Sequence, residues 1–214
     1  MPTELDIPGL NRLISICQRH SFPLKLSPPH SLPIEKGGLV LGTPLDPQLA
    51  AVYQRLGRAE FGELTLYSPA SGKDGLVARN EWLRKYEAPE VQSSLIFACE
   101  TGFSLYYGTV PQLADAHGVQ PVVHINGYEA YAVPVASSVD RFFDAYSRYL
   151  ERVAVDPEYL HHGITSVNFP WAMTTLLAQD EPLMGLVRAG RFDFLANDFR
   201  DAVEWLQELR QAKP

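Results

Sequence analysis

Glu158, His161 and His162, within EYLHHG, are the residues whose types and spacing come nearest to a metal centre. Glu158 and His161 stand three apart and would share one helical face, with His162 beside them. Adjacent helical side chains point about 100° apart, so a helix aims only one of the two histidines alongside Glu158. A third ligand would have to come from His117, His124 or a distant carboxylate, and the sequence nominates none. With such a ligand the chain would be a small metal-dependent hydrolase. The preferred alternative is a polar helix end where the histidines meet the terminal carbonyls.

Serine chemistry is less well supported. TGFSLYYG supplies Gly102-x-Ser104 but has Tyr106 where a nucleophile elbow needs its second glycine, and Ser104 is expected to alternate on a strand. Ser137 and Ser138, in AYAVPVASSVDRFFDAYSRYL, sit where an alternating apolar run gives way to a helical period. A hydroxyl there accepts a hydrogen bond from an unpaired first-turn N–H, and Asp140 in the first turn suits the same helix end. Ser138, or Ser137 if the boundary shifts by one, is therefore assigned as a cap. GGLVLG has phosphate-loop glycine spacing, yet Thr43 stands where lysine is required; SGKDG has Gly72-Lys73 but continues with Asp74. Neither is read as a nucleotide site.

The charge balance bears on partners. A formal net charge of −7 and a pI near 5.3 leave no general basic field for phosphate backbones or anionic lipid. Glu60, Glu63, Glu81, Glu87 and Glu90, with Glu100, outnumber nearby bases. They read as a solvated acidic face or, more sharply, as a docking surface for a basic partner. Phe103, Tyr106 and Tyr107 are of the types that stack bases, but no lysine or arginine is interleaved with them, so core packing is preferred and no direct nucleic-acid contact is expected. Cys17 and Cys99 are read as small core residues. No run approaches the roughly 20 apolar residues of a spanning helix, so a cytoplasmic protein without membrane contact is expected.

The positioning elements follow from periodicity. Hydrophobic residues make up 46% of the 214 and charged residues 20%, the balance of a folding chain. Leu10, Leu13, Ile14 and Cys17 form a helical stripe after Pro8. The segment SFPLKLSPPHSLPIEKGG, with four prolines, is a connecting arm or extended ribbon. Asp46 and Pro47 open a helix striped by Leu49, Val52, Tyr53 and Leu56 and ended by Gly57. A strand is expected near 62–67 and a short helix capped by Asn80. SSLIFACE, FSLYYGTV, PVVHIN and YEAYAVPV should form most of an antiparallel sheet, with Asn126-Gly127 marking a hairpin. Val139, Phe142, Phe143, Tyr146, Leu150 and Val153 then make one apolar helix face. After 156 the pattern is helical, ending in a helix from about 198 capped by Asn197 or Asp198, with acidic residues dominating its exposed side. The expected fold is α+β: a largely antiparallel sheet flanked by helices, with a helical C-terminal extension.

This order of elements resembles the SUKH superfamily over about 43–152. PLDPQLAAVYQRLG is similar to its proline-led early helix, SSLIFACETGFSLYYG to its paired strands with a glycine turn, and PVVHINGYEAYAVPVASSVDRFFDAYSRYL to its terminal hairpin, serine-capped helix start and aromatic helix. The resemblance divides the chain into an N-terminal helix and proline-rich arm (1–42), a SUKH-like core (43–155) and a helical extension of the same domain (156–214). It implies no catalytic centre and no cofactor. Bacterial members are commonly immunity proteins that bind and block a polymorphic or contact-dependent toxin, often a nuclease and so a basic protein; eukaryotic members include regulatory scaffolds. The extension is expected to complete the core, form a homodimer contact or contribute to partner binding.

Overall fold

The computed structural model describes residues 5–32, 34, 38–70, 72–86, 88–196 and 199–212. Helix α1 (Pro8–His20) opens on its proline, buries Leu10, Leu13, Ile16 and Cys17, and ends at Ser21 in the left-handed region. Among its described residues the proline-rich stretch after it carries one short edge strand, β1 (Leu24–Leu26), in keeping with a chain short of N–H donors. Strands β2 (Leu39–Val40) and β3 (Thr43–Pro44) make a tight hairpin turning through Leu41 and Gly42, both at positive φ. The GGLVLG run is thus mostly hairpin, and no helix begins there for a phosphate to meet.

Helix α2 (Pro47–Arg55) is capped by Asp46, whose Oδ1 accepts from the Leu49 N–H at 2.8 Å. Asp46 is fully buried, and its Oδ2 accepts from the Gln120 N–H at 2.7 Å, so one carboxylate ties two distant segments. Contrary to expectation Gly57 does not end this helix, which stops at the extended Leu56; glycine is needed at 57 for another reason. Its φ is not left-handed; a Cβ there would stand 2.6 Å from the Pro28 carbonyl oxygen, where the proline-rich arm crosses.

Strands β4 (Ala59–Phe61) and β5 (Leu64–Leu66) follow, then α3 (Leu76–Leu83), α4 (Pro89–Gln92), β6 (Leu95–Glu100) and β7 (Leu105–Thr109). Next come β8 (Val122–Asn126), β9 (Tyr131–Ala136), α5 (Val139–Val153) and α6 (Pro157–His162). The chain finishes with α7 (Thr174–Leu177), α8 (Glu181–Arg188) and α9 (Arg200–Gln211). Among the described residues, seven strands form one antiparallel sheet in the order β1-β4-β5-β6-β7-β8-β9. The α+β architecture expected from the sequence is the one observed.

The sheet's two faces are set by the strand period of two. Leu26, Ala59, Leu66, Ala98, Tyr107, His124 and Val133 form one row across all seven strands. Helix α5 covers this face: Phe142 and Tyr146 pack on Tyr107 at ring-centroid distances of 4.8 and 6.4 Å, and Phe143 meets Phe61 at 6.2 Å. Its start is the expected one, with Ser138 Oγ accepting from the Arg141 N–H at 3.2 Å, while the Ser137 N–H bonds Asp180. Helix α1 lies against α5 so closely that a Cβ on Gly9 would stand 2.1 Å from the Asp140 carbonyl oxygen.

One of two asparagine expectations is corrected and the other is met with a longer loop. Asn80 does not cap a helix; it is buried within α3, donates to the Leu76 and Ile96 carbonyls and accepts from the Ile96 N–H. Its carboxamide serves the Ile96 peptide groups as a neighbouring strand would, beyond the end of β5 and beside the bulge between Ile96 and Ala98. The Asn126-Gly127 hairpin exists, but its loop spans 127–130 and is held by Asn126 Oδ1 accepting from the Tyr128 and Glu129 N–H groups. Asn197 and Asp198, the expected caps of the last helix, lie outside the described residues. One continuous apolar core runs from Ile7 to Leu209, with α8 and α9 packed against β9. No helix among the described residues is long and apolar enough to cross a membrane.

Candidate functional site

Of the five glutamates expected to form one acidic surface, the four among the described residues differ in exposure and pairing. Glu60 lies on the sheet face opposite α5 and is neutralised by Lys25 at 2.6 Å and Arg58 at 3.4 Å; the Lys25 ammonium holds its carboxyl below the usual range. Glu63 is exposed at the β4–β5 turn, and Glu81 is exposed on α3. Glu90 is 1% exposed, so it belongs to the interior of the fold and not to a docking surface. Glu87 lies outside the described residues. An acidic residue's place in sequence cannot report that tertiary packing has covered it, and this is why Glu90 was misassigned.

Glu158, His161 and His162 all sit exposed on α6, which ends at Gly163 in the left-handed region. The two histidine rings are 6.2 Å apart. Among the described residues no three His, Cys, Asp or Glu side chains are grouped to hold a metal ion. His117 and His124 are placed elsewhere, His117 in the exposed 115–119 loop and His124 inside the sheet.

Inside the α5-facing layer is a polar group. Tyr107 donates its hydroxyl to Glu100 Oε1 at 2.6 Å, and His124 Nε2 stands 4.0 Å from the same oxygen. His124 is 2% exposed with neither ring nitrogen hydrogen-bonded, and burial pushes its pKa down to about 4. Burial raises Glu100, partly opposed by the Tyr107 bond, and raises Tyr107 well above the usual phenol range. Phe142, Tyr146 and Phe169 close around Tyr107. Aromatic rings enclose the Tyr107 and His124 end of the cluster, while Glu100 is only partly buried.

The acidic surface that the fold does assemble is at the other end of the chain. Helix α9 places Asp201, Glu204 and Glu208 at spacings of three and four, on one side of the helix. The β8–β9 hairpin brings Glu129 to meet them, and together they rim a cleft of about 490 Å³. Tyr131, Trp171 and Trp205 supply its aromatic lining. The two indoles meet edge to face at 5.0 Å, Tyr131 stands 6.4 Å from Trp171, and Phe199 stacks on Tyr131 at 4.7 Å. Burial raises the Tyr131 phenol, the Glu129 and Asp201 carboxylates raise it further, and the Asn126 amide opposes them. Trp205 is 3% exposed and its Nε1–H has no hydrogen-bond partner.

The sequence marked the last helix as acidic on its exposed side. The D-x-x-E-x-x-x-E spacing beside Trp205 was the available signal for a site. What it could not show was Glu129, some 70 residues upstream, arriving on the same cleft. Comparison with known proteins finds no matching family model and no matching curated protein.

Proposed function

We propose that the chain is a non-enzymatic bacterial immunity protein that binds a co-produced toxin and occludes its active site or substrate groove. The observation that carries this reading is the α9 cleft, where four carboxylates rim an aromatic-lined depression on a chain of net charge −7. A nuclease must attract a phosphate backbone and is therefore basic where it works. An acidic partner is steered to such a surface, and charge complementarity fixes its register. Tryptophan and tyrosine are the residue types most often found at the energetic centre of an interface, and here they line the cleft beneath the charged rim.

The resemblance to the SUKH superfamily over 43–152 supports the same reading, and the cleft adds the 156–214 extension to the working surface. Binding by shape and charge requires no cofactor. Co-expression with the toxin domain encoded by a neighbouring gene tests the proposal. Growth should be restored by this chain and not by a variant carrying Asp201→Lys and Glu204→Lys. Continued killing in the presence of the folded wild-type chain would overturn it.

A further inference from the structure

We infer that a second cavity, between helix α5 and the link from α7 to α8, binds a small aliphatic monocarboxylate, and that it does so without any protein partner. The cavity measures about 150 Å³. Arg141, Asp144, Ala145 and Arg148 stand at spacings of three and four on one side of α5 and form one wall. Facing them are Leu176 and Leu177 at the end of α7, then Gln179 and Asp180 in the link, and Val135 of β9 completes the lining. The site therefore lies where the 156–214 extension meets the core.

The ligand class follows from which of these groups already have partners. Asp144 accepts from Arg12 Nη1 at 3.3 Å and from Arg148 Nε at 3.0 Å, so two guanidinium groups match its charge. Asp180 accepts from the Ser137 N–H at 2.8 Å and, as the cap of α8, from the Leu183 N–H at 3.3 Å. Asp140, beside Arg141 in sequence, turns its Oδ1 to the Gly9 N–H at 2.7 Å. The groups left over are donors. Among the described residues the Arg141 guanidinium makes no hydrogen bond or ion pair, and the terminal nitrogens of Arg148 and the Gln179 carboxamide make none either. A guanidinium fork receives a carboxylate through two parallel N–H···O bonds. One cation without an ion-pair partner calls for one negative charge, which favours a monocarboxylate over a phosphate dianion. Val135, Ala145, Leu176 and Leu177 are apolar and suit a short hydrocarbon tail. A cavity of this volume holds a benzene-sized guest, about six non-hydrogen atoms, which is the size of butyrate.

Titration of the full chain with sodium butyrate, against sodium chloride at matched ionic strength and followed by methyl NMR, tests the inference. The methyl signals of Val135, Ala145, Leu176 and Leu177 should shift together and saturate, with the millimolar affinity expected of so small a ligand. Acetate should bind roughly tenfold more weakly, having lost two buried methylenes. Butyramide, which has the same shape without the charge, should give no saturable shift, and methyl phosphate should bind more weakly than butyrate. Blocked glutamate carries a similar carboxylate on a peptide backbone and separates a free acid from an acidic side chain of a partner; its backbone exceeds the cavity, so it should bind more weakly than butyrate. Arg141→Gln, at an exposed position, should weaken butyrate binding by about tenfold while the circular dichroism spectrum stays unchanged. No saturable shift with butyrate, shifts that fall elsewhere or are matched by chloride, equal binding of butyramide, tighter binding of methyl phosphate or of blocked glutamate, or an unaltered Arg141→Gln would each overturn the inference.

Discussion

Replacing His124 by phenylalanine should remove a defined part of the protein's acid sensitivity. The imidazole is buried between Tyr107 and Val133 on the α5-facing row, and burial lowers its pKa from an ordinary 6.5 to about 4. Above pH 6.5 the ring is neutral in both folded and unfolded chains and contributes no pH dependence. As pH falls from 6.5 towards 4 the unfolded chain takes up a proton that the folded chain refuses, so stability falls, by about 1.4 kcal/mol per pH unit and roughly 3 kcal/mol in all. Glu100 works in the opposite direction: its folded pKa is raised, so as pH falls the folded chain gains its proton first and recovers some stability. The difference between wild type and His124→Phe isolates the histidine from that compensation. Urea unfolding followed by circular dichroism, repeated from pH 7.5 to 4, should show the wild type losing about 3 kcal/mol more than the variant. At pH 7.5 the variant should match or exceed wild type, because neither ring nitrogen has a hydrogen bond to lose. Parallel stability curves for the two proteins would refute the assignment of a buried, neutral His124.

Other consequences can be checked by the same unfolding measurements. Asn80→Leu removes the groups that serve the Ile96 peptide and should cost about 3 kcal/mol, since a buried N–H and carbonyl lose their partners. Gly9→Ala forces a Cβ into the Asp140 backbone and should cost at least about 2 kcal/mol, with α1 displaced from α5 in amide-exchange protection. Ser138→Ala should cost about 1 kcal/mol through loss of the cap and leave partner binding intact. His161→Ala together with His162→Ala should change neither stability nor metal content of the purified protein, both side chains being exposed; loss of stoichiometric zinc in the variant would revive the hydrolase reading.

The parts of the fold written locally were legible in the residues. Asp46 and Pro47 fix the start of α2 through a cap and a preset φ, and both act within one turn. Strands β6 to β9 declare themselves by apolar runs with punctuation between them, and Ser138 marks the handover to α5. What stayed hidden depends on partners distant in sequence. Strand β4 is three residues long, Ala59–Phe61, and exists because β1 and β5 lie on either side of it. Asn80 is a residue type that caps helices, yet its actual role is set by Ile96, 16 positions away. The acidic surface followed the same rule. Folding pairs Glu60 with Lys25 and buries Glu90, which takes both out of an open acidic face, while Asp201, Glu204 and Glu208 line one cleft when the β8–β9 hairpin delivers Glu129 and Tyr131 to them.

The most direct test of the immunity role is calorimetric titration of the intact chain with the C-terminal domain of a toxin encoded beside its gene. The account predicts a tight one-to-one complex that weakens as salt is raised and by more than about tenfold with Asp201→Lys and Glu204→Lys. Absence of binding, or a complex indifferent to both substitutions, would contradict it.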